Sequence, residues 1–286
     1  MNSTKPTPSP YAIDSGVSFQ GKMNSYKHRI KRRQDFTTTT NPKELCLDTN
    51  GHGTAVVYQL IKTCPDAEIY VAKVVQERHG DSADVEHAAK PRKDKGWGVD
   101  IISMSFGWDH ADPTSIWEAM KYAADQHILL FAAATNYGLG EKNDILYPAR
   151  DARVISVDTQ NGYGKPAPFA TQSASGHTVN RFCAPGLGAA NPLGVGALSG
   201  SSFACPVVAG IAALVLQFTR QEPLNHCLSV TRAVTNHQGM MRVLRDTMSK
   251  SGSGQEVFKI LYPWNLFKLD LDTNMEDARA HAVKAM

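Results

Sequence analysis

Short apolar segments rich in β-branched residues alternate along this chain with segments of helical pattern. The first two of them, Tyr11-Ala-Ile-Asp14 and Ala67 to Val75, enclose a predicted helix over residues 54–62. The order strand, helix, strand is typical of the βαβ unit, which builds a parallel sheet. Because the strands are apolar at successive positions, both faces of the sheet need helices to cover them. We therefore predict an α/β fold with a doubly wound, mainly parallel sheet and helices on both faces.

The same alternation continues through the middle of the chain. Its predicted strands are Asp100–Ser105, Ile128–Ala134 and Arg153–Val157, and its predicted helices are Pro113–Gln126 and a segment that starts just after Gly200. The last helix is small and apolar on all sides, a composition typical of a helix buried in the core.

Charge and hydropathy argue against two classes of partner. The chain has 286 residues, and 30 Lys and Arg against 27 Asp and Glu give a net charge of +3. Nucleic-acid-binding domains carry a much larger basic excess, so we expect no nucleic acid. The longest strongly apolar run, Val207–Leu216, is far shorter than the ~20 residues that a membrane span needs. We expect no membrane partner either.

One cluster of basic residues, Lys27 to Arg33, needs a separate interpretation. Clusters of this kind occur in nuclear signals, in nucleic-acid patches and at cleavage sites. We favour a solvated insertion loop, because a run of charge is most often a hydrated surface.

The cysteines form an odd set without a C-x-x-C pair: Cys46, Cys64, Cys183, Cys205 and Cys227. No histidine lies at zinc-finger spacing from them. Free thiols are the favoured interpretation, and a bridge between Cys46 and Cys64 stays open. We expect no catalytic role for any of them, and a buried thiol at Cys205 in particular.

No cofactor or metal site is predicted. Asp270, Asp272 and Asn274 alternate as they do at the start of an EF-hand loop. However, Met275 stands where that loop needs glycine and His281 where it needs a bidentate glutamate. A structural calcium ion stays open, although no motif supports it.

Four polar residues occupy strand ends or helix starts, and together they offer a chemistry that none offers alone: Asp14, His52, Asn136 and Ser202. Taken singly, each has an ordinary interpretation as a cap, a turn residue or a satisfied polar group. A serine hydroxyl becomes a strong nucleophile when an imidazole takes its proton, and a carboxylate orients and stabilises that imidazole. The set therefore indicates nucleophilic catalysis at the carboxyl edge of the sheet.

The segments around these residues resemble the motifs of the subtilisin-like serine proteases, the subtilase family. Tyr11-Ala-Ile-Asp14-Ser-Gly resembles the aspartate motif, Gly51-His52-Gly-Thr54 the histidine motif, and Gly200-Ser-Ser202-Phe-Ala-Cys-Pro206 the serine motif. The resemblance implies a subtilisin-like fold and a serine endopeptidase that cleaves polypeptides through an acyl-enzyme. It gives the catalytic roles to Asp14, His52 and Ser202.

The resemblance also implies the remaining site residues. Asn136 would be the side-chain donor of the oxyanion hole, although Thr135 stands before it where the family usually has glycine. The extended substrate would pair with Ser105, Phe106 and Gly107, and Leu146 would form the floor of the primary pocket. An apolar side chain there favours medium-sized apolar substrate residues.

The expected organisation is a tail at 1–10, a peptidase domain at 11–267 and a C-terminal helical extension at 268–286, which opens with the capping box Thr273-x-x-Glu276. The N-terminal residues lack a secretory pattern, so an intracellular protein or a fragment of a longer chain is expected. The oligomeric state stays open. The alternative function is a catalytically weak or silent subtilase domain that binds peptides or regulates a larger protein.

Overall fold

The structure is a computed structural model that describes residues 7–37, 45–75, 97–108, 114–136, 145–170, 180–194, 196–250 and 259–266. Its strands are β1 (Pro10–Asp14), β2 (Ile30–Asp35), β3 (Ile69–Lys73), β4 (Ile101–Met104), β5 (Leu129–Ala133), β6 (Val154–Gln160), β7 (Arg181–Pro185), β8 (Leu187–Ala190), β9 (Ala197–Ser199), β10 (Ser249–Lys250) and β11 (Lys259–Leu261). Its α-helices are α1 (His52–Thr63), α2 (Thr114–Asp125), α3 (Ser201–Thr219), α4 (Leu228–Val234) and α5 (His237–Arg242). Turns of 3₁₀ helix span Gly21–Arg29, Leu224–His226 and Pro263–Asn265, and a π turn spans Val243–Thr247.

Within the described residues the main sheet has nine strands in the order β10-β11-β7-β6-β5-β4-β1-β3-β2. Every neighbouring pair is parallel except β10 and β11. A separate antiparallel hairpin joins β8 to β9. The predicted fold class is confirmed, and each predicted strand is present with ends shifted by one to three residues.

Neighbouring residues of the central strands face opposite sides of the sheet. Ile101 packs into the apolar cluster formed with α1 and α3. Ile102 packs with Ile116 and Met120 of α2 on the other face. This two-sided burial explains why the strands are apolar at successive positions.

Helix α3 is the core helix that the sequence predicts. By length and composition it could cross a membrane, but 72% of its most apolar stretch is buried inside the protein. It packs closely on α1 at Gly210, where an added Cβ would lie 2.6 Å from Cβ of Thr63. The backbones of the two helices therefore approach directly, and their N-termini are held side by side.

The direction of winding reverses at β1. The chain passes from β1 to β2 and β3 on one side of it, and to β4, β5 and β6 on the other. At such a switch point the loops that leave neighbouring strands separate and open a crevice at the carboxyl ends. Asp14 and Ser105 both lie at this edge, the first at the end of β1 and the second just after β4.

The interpretation of residues 27–33 as a solvated loop is right about their exposure to solvent and wrong about the loop. They form the end of a 3₁₀ helix and the start of β2, which is the edge strand of the described sheet. Arg29 lies 3.4 Å from Asp66, and Lys31 lies 3.3 Å from Glu68. Charged side chains on an edge strand discourage pairing with another chain, which gives the cluster a structural role. The predicted extension at 268–286 lies outside the described residues.

Candidate active site

The end of β1 places Asp14 beside the first residue of α1, His52. Nδ1 of His52 lies 2.8 Å from Oδ1 of Asp14. The side chain of Asp14 is 4% exposed, and that of His52 is 36% exposed. Because a carboxylate only accepts hydrogen bonds, the proton of this contact belongs to Nδ1, and Nε2 becomes the basic nitrogen. The pair has the tautomer that a general base requires.

Side chains satisfy the first backbone N–H groups of α1. The buried carboxylate of Asp48 accepts hydrogen bonds from the N–H of Gly51 at 2.9 Å and from the N–H of Thr54 at 2.7 Å. The amide oxygen of Asn50 accepts from the N–H of His52 at 2.8 Å. These bonds fix where α1 begins, and therefore where the imidazole lies.

Ser15 joins the end of β1 to the start of α1. Its hydroxyl oxygen accepts from the N–H of Gly53 at 2.9 Å and lies 2.9 Å from Oδ1 of Asp48. At position 53 an added Cβ would come within 2.4 Å of the carbonyl oxygen of Gly16, so only glycine allows this approach. The aspartate motif and the histidine motif are thus connected through a close backbone contact and through the buried hydroxyl of Ser15.

Ser202 is the second residue of α3. The ring of the following residue, Phe203, lies 5.3 Å from the imidazole of His52, centroid to centroid. The hydroxyl of Ser202 donates a 3.1 Å hydrogen bond to the carbonyl oxygen of Ser105. Ser202 therefore sits between the helix that carries His52 and the segment after β4.

Asn136 follows β5 and reaches the same helix start. Its Oδ1 accepts a 2.7 Å hydrogen bond from the N–H of Ser201, so its amide is anchored one residue before Ser202. A Cβ on Gly200 would approach Nδ2 of Asn136 to 3.2 Å. Of the described residues other than glycine, only Cys46 and His127 have positive φ, so the β-branched Thr135 fits this turn without strain.

The segment after β4 lies against Leu146. An added Cβ on Gly107 would lie 2.7 Å from Cβ of Leu146. The neighbouring residues Trp108 and Tyr147 exchange two backbone hydrogen bonds of 2.9 and 3.0 Å. Phe106 stacks on Trp108 with ring centroids 5.9 Å apart. The structure thus brings the predicted substrate strand and the predicted pocket floor into contact.

Sequence reasoning missed two residues that hold this site, Asp48 and Ser15. For Asp48 the signal was weak, because it lies three residues before the N-cap Gly51, outside the usual capping positions. For Ser15 none was present, since its partners lie 33 and 38 residues away along the chain.

All five cysteines are free thiols in the structure, so the bridge between Cys46 and Cys64 is not formed. Cys205 is fully buried, with its Sγ 3.5 Å from Oγ of Ser103. The pKa of its thiol is raised to about 12, because the effect of burial outweighs that of the hydrogen bond to Ser103. The expectation of a buried thiol at Cys205 is confirmed.

Among the described residues no group of three or more His, Cys, Asp or Glu side chains could hold a metal ion. The alternating acidic residues at 270–274 lie outside those residues. Whether the protein binds a structural calcium ion therefore stays open.

Replacement of Asp48 by asparagine should destabilise the protein by about 1–3 kcal/mol, because the new NH₂ group would face backbone donors that need an acceptor. Urea unfolding measures the change. Asp125→Asn, at an exposed carboxylate paired with Lys121 on α2, is the matched control and should change stability by less than about 0.5 kcal/mol. Equal effects of the two substitutions would show that Asp48 does not cap α1.

Thiol labelling should distinguish Cys227 from the other cysteines, because its pKa shifts in the opposite direction. Hydrogen bonding to Ser229 lowers the pKa of Cys227, whereas burial raises those of Cys46, Cys64 and Cys205. Because the thiolate is the reactive form, Ellman's reagent at about pH 8 should react first with Cys227. Cys227→Ser should remove the fast phase. Cys205→Thr should leave both that phase and any peptidase activity in place, and lost activity in a folded variant would mean that the thiol is needed.

Comparison with solved structures supports the fold. The protease domain of PatA, solved as a mutant, superposes with a TM-score of 0.70 at 20% identity and covers 93% of this chain and 97% of that domain. The prenylagaramide maturation protease PagA gives a TM-score of 0.67 at 20% identity, with 92% and 93% covered. At this identity the likeness shows a common architecture.

Curated relatives are similar over most of the chain. The subtilisin-like protease het-Q2 of Podospora anserina is 31% identical over 220 residues, which are 68% of this chain and 58% of that protein. The major intracellular serine protease of Bacillus subtilis is 26% identical over 243 residues, or 78% and 70%. The intracellular serine protease of Paenibacillus polymyxa is 31% identical over 211 residues, or 67% and 61%. The match spans less than two thirds of the first and third of these relatives.

A family model links the motifs to the whole fold. The model of the subtilase family matches residues 12–259, a range that contains Asp14, His52 and Ser202 in that order along the chain. With this match over most of its length, the chain belongs to the subtilase family.

Proposed function

We propose that this chain is a serine endopeptidase that hydrolyses polypeptides with Asp14, His52 and Ser202 as its triad. The observation that carries the proposal is the 2.8 Å hydrogen bond from Nδ1 of His52 to the buried Asp14 carboxylate. It orients an imidazole at the N-terminus of α1, and α1 packs beside the helix that begins with Ser201 and Ser202. Family membership supports the same chemistry.

In the proposed reaction, Nε2 of His52 removes the proton of the Ser202 hydroxyl as Oγ attacks the scissile carbonyl carbon. The Asp14 carboxylate stabilises the imidazolium that forms. Collapse of the tetrahedral intermediate breaks the C–N bond, and the imidazolium gives its proton to the leaving amine. Water then attacks the acyl-enzyme with His52 again as base, and the products are a carboxylic acid and the restored serine.

The developing oxyanion needs donors that are already in place. The amide of Asn136 is held through its Oδ1 by the N–H of Ser201, which leaves the Nδ2 group to donate. The N–H of Ser202, at the start of α3, is the second donor in this proposal, where the helix dipole also favours negative charge.

An extended peptide would lie beside Ser105, Phe106 and Gly107, with main-chain hydrogen bonds for affinity. Leu146 closes the space next to Gly107, so we expect the primary pocket to accept apolar side chains of medium size. A buried charge would have no partner there.

A fluorophosphonate probe tests the nucleophile directly, since only an activated serine reacts. Labelling should disappear in Ser202→Ala and fall strongly in His52→Ala. On a casein-like substrate the double variant should lose little beyond either single one, because the two residues act as a unit. A wild-type protein that folds but takes no label would support the silent peptide-binding domain instead.

Removal of the Asn136 amide should lower turnover with little effect on KM, because the donor acts on charge that appears only in the transition state. For subtilisin itself, loss of this type of donor lowers turnover by roughly 10²- to 10³-fold, and we expect a loss of that order in Asn136→Ala. A loss as complete as that of Ser202→Ala would contradict the assigned role.

The pocket assignment predicts a change of selectivity in Leu146→Ala. A larger pocket should raise kcat/KM for substrates with phenylalanine at the cleaved residue, relative to leucine, by about tenfold. Leu228→Ala, at an exposed leucine on α4, serves as control and should leave the ratio unchanged. An unchanged ratio in Leu146→Ala would place the pocket elsewhere.

A further inference from the structure

The first turn of α3 contains a carbonyl group that its own helix cannot satisfy. In an α-helix the carbonyl oxygen of Ser202 would accept from the N–H of residue 206. Residue 206 is proline, which has no N–H. The carbonyl group of the proposed nucleophile therefore needs a donor from outside the helix.

Ser105 supplies that donor. Its hydroxyl donates a 2.8 Å hydrogen bond to the carbonyl oxygen of Ser202. In return the hydroxyl of Ser202 donates a 3.1 Å hydrogen bond to the carbonyl oxygen of Ser105. Ser105 is 3% exposed, so water does not replace the first of these bonds easily.

We infer that the Ser105 hydroxyl positions the nucleophile. It does so by donating a hydrogen bond to the Ser202 carbonyl, which Pro206 leaves without a donor in its own helix. The inference rests on the proposed function and deepens it. The backbone of Ser105 belongs to the proposed substrate strand, whereas its side chain holds the backbone of Ser202. One residue thus fixes the distance between the peptide to be cleaved and the oxygen that attacks it.

The consequence for catalysis is a selective effect on turnover. Without the hydroxyl, the carbonyl of Ser202 has lost its donor, and the first turn of α3 must shift to find another. Small displacements of a nucleophile cost up to about 10²-fold in rate, because attack requires close alignment. The main-chain groups of residue 105 remain, so substrate binding is largely kept.

Kinetics of Ser105 variants test the inference. Ser105→Ala should lower kcat by roughly 10- to 100-fold and change KM by no more than about twofold. Ser105→Thr keeps the hydroxyl and should recover most of kcat. Ser103→Ala is the matched control, because Ser103 is a buried serine of β4 whose hydroxyl contacts Cys205. It should retain kcat.

A double-mutant cycle with Pro206 gives the sharpest test. Pro206→Ala restores an N–H that can satisfy the Ser202 carbonyl within the helix. In that background, Ser105→Ala should lower kcat by less than about threefold, and the two substitutions should show the same coupling in the free energy of unfolding. Near-UV circular dichroism verifies the fold of each variant.

Three outcomes would overturn the inference: unchanged kcat in Ser105→Ala, no recovery in Ser105→Thr, or additive effects of the substitutions at 105 and 206. If Ser105→Ala lowers the melting temperature while kcat is unchanged, the role of the hydroxyl is structural only. Failure of the proposed function is recognised separately, because the wild-type protein would then take no fluorophosphonate label.

Discussion

The hydrogen bond between the buried Asp14 carboxylate and His52 depends on the junction of β1 with α1, and the rest of the site is arranged around that junction. Asp14 ends the strand at which the sheet reverses its winding. Asp48 and Ser15 then hold the start of α1 against that strand end. The Asp14 carboxylate itself accepts hydrogen bonds from His52 and from the N–H of Ser15, and it needs these donors because an unpaired buried charge is costly.

A buried ion pair lies next to this junction. Nζ of Lys73 lies 3.6 Å from Oδ2 of Asp35, and both side chains are almost fully buried. The same oxygen of Asp35 accepts a 2.9 Å hydrogen bond from the N–H of Cys46. A buried ion pair is weak evidence for stability, since desolvation offsets its attraction. Its effect here is positional, because it fixes the segment that leads to Asp48.

The contact between α1 and α3 brings the histidine and the serine motifs together. Gly210 lets the helix backbones approach, and Phe203 packs against the imidazole of His52. Hydrogen bonds then refine the position of Ser202, from Ser105 on one side and through Asn136 and Ser201 on the other. Apolar packing determines the approximate positions of the two helices, and directional hydrogen bonds determine the precise positions of the polar side chains at their N-termini.

Much of the fold could be predicted because local patterns reflect burial. The apolar runs of β1, β4 and β5 and the uniformly apolar α3 indicated a parallel sheet covered on both faces, and the motif residues indicated the family. The basic residues 27–33 were misread, since charge alone does not distinguish a loop from an edge strand. Their pairing with Asp66 and Glu68 required the neighbouring elements.

The sequence by itself determined which segments form the strands and helices, with their ends placed to within one to three residues, because these segments follow from periodicity and from capping and turn chemistry. Tertiary structure alone decided which of them meet. Ser15 and Asp48 are 33 positions apart, and Ser105 and Ser202 are 97 apart, so no local pattern records their contacts. The physical reason is that hydrogen-bond partners are chosen by the packing of whole elements. A carbonyl without a partner in its own helix, such as that of Ser202, takes its donor from whichever side chain that packing places within reach.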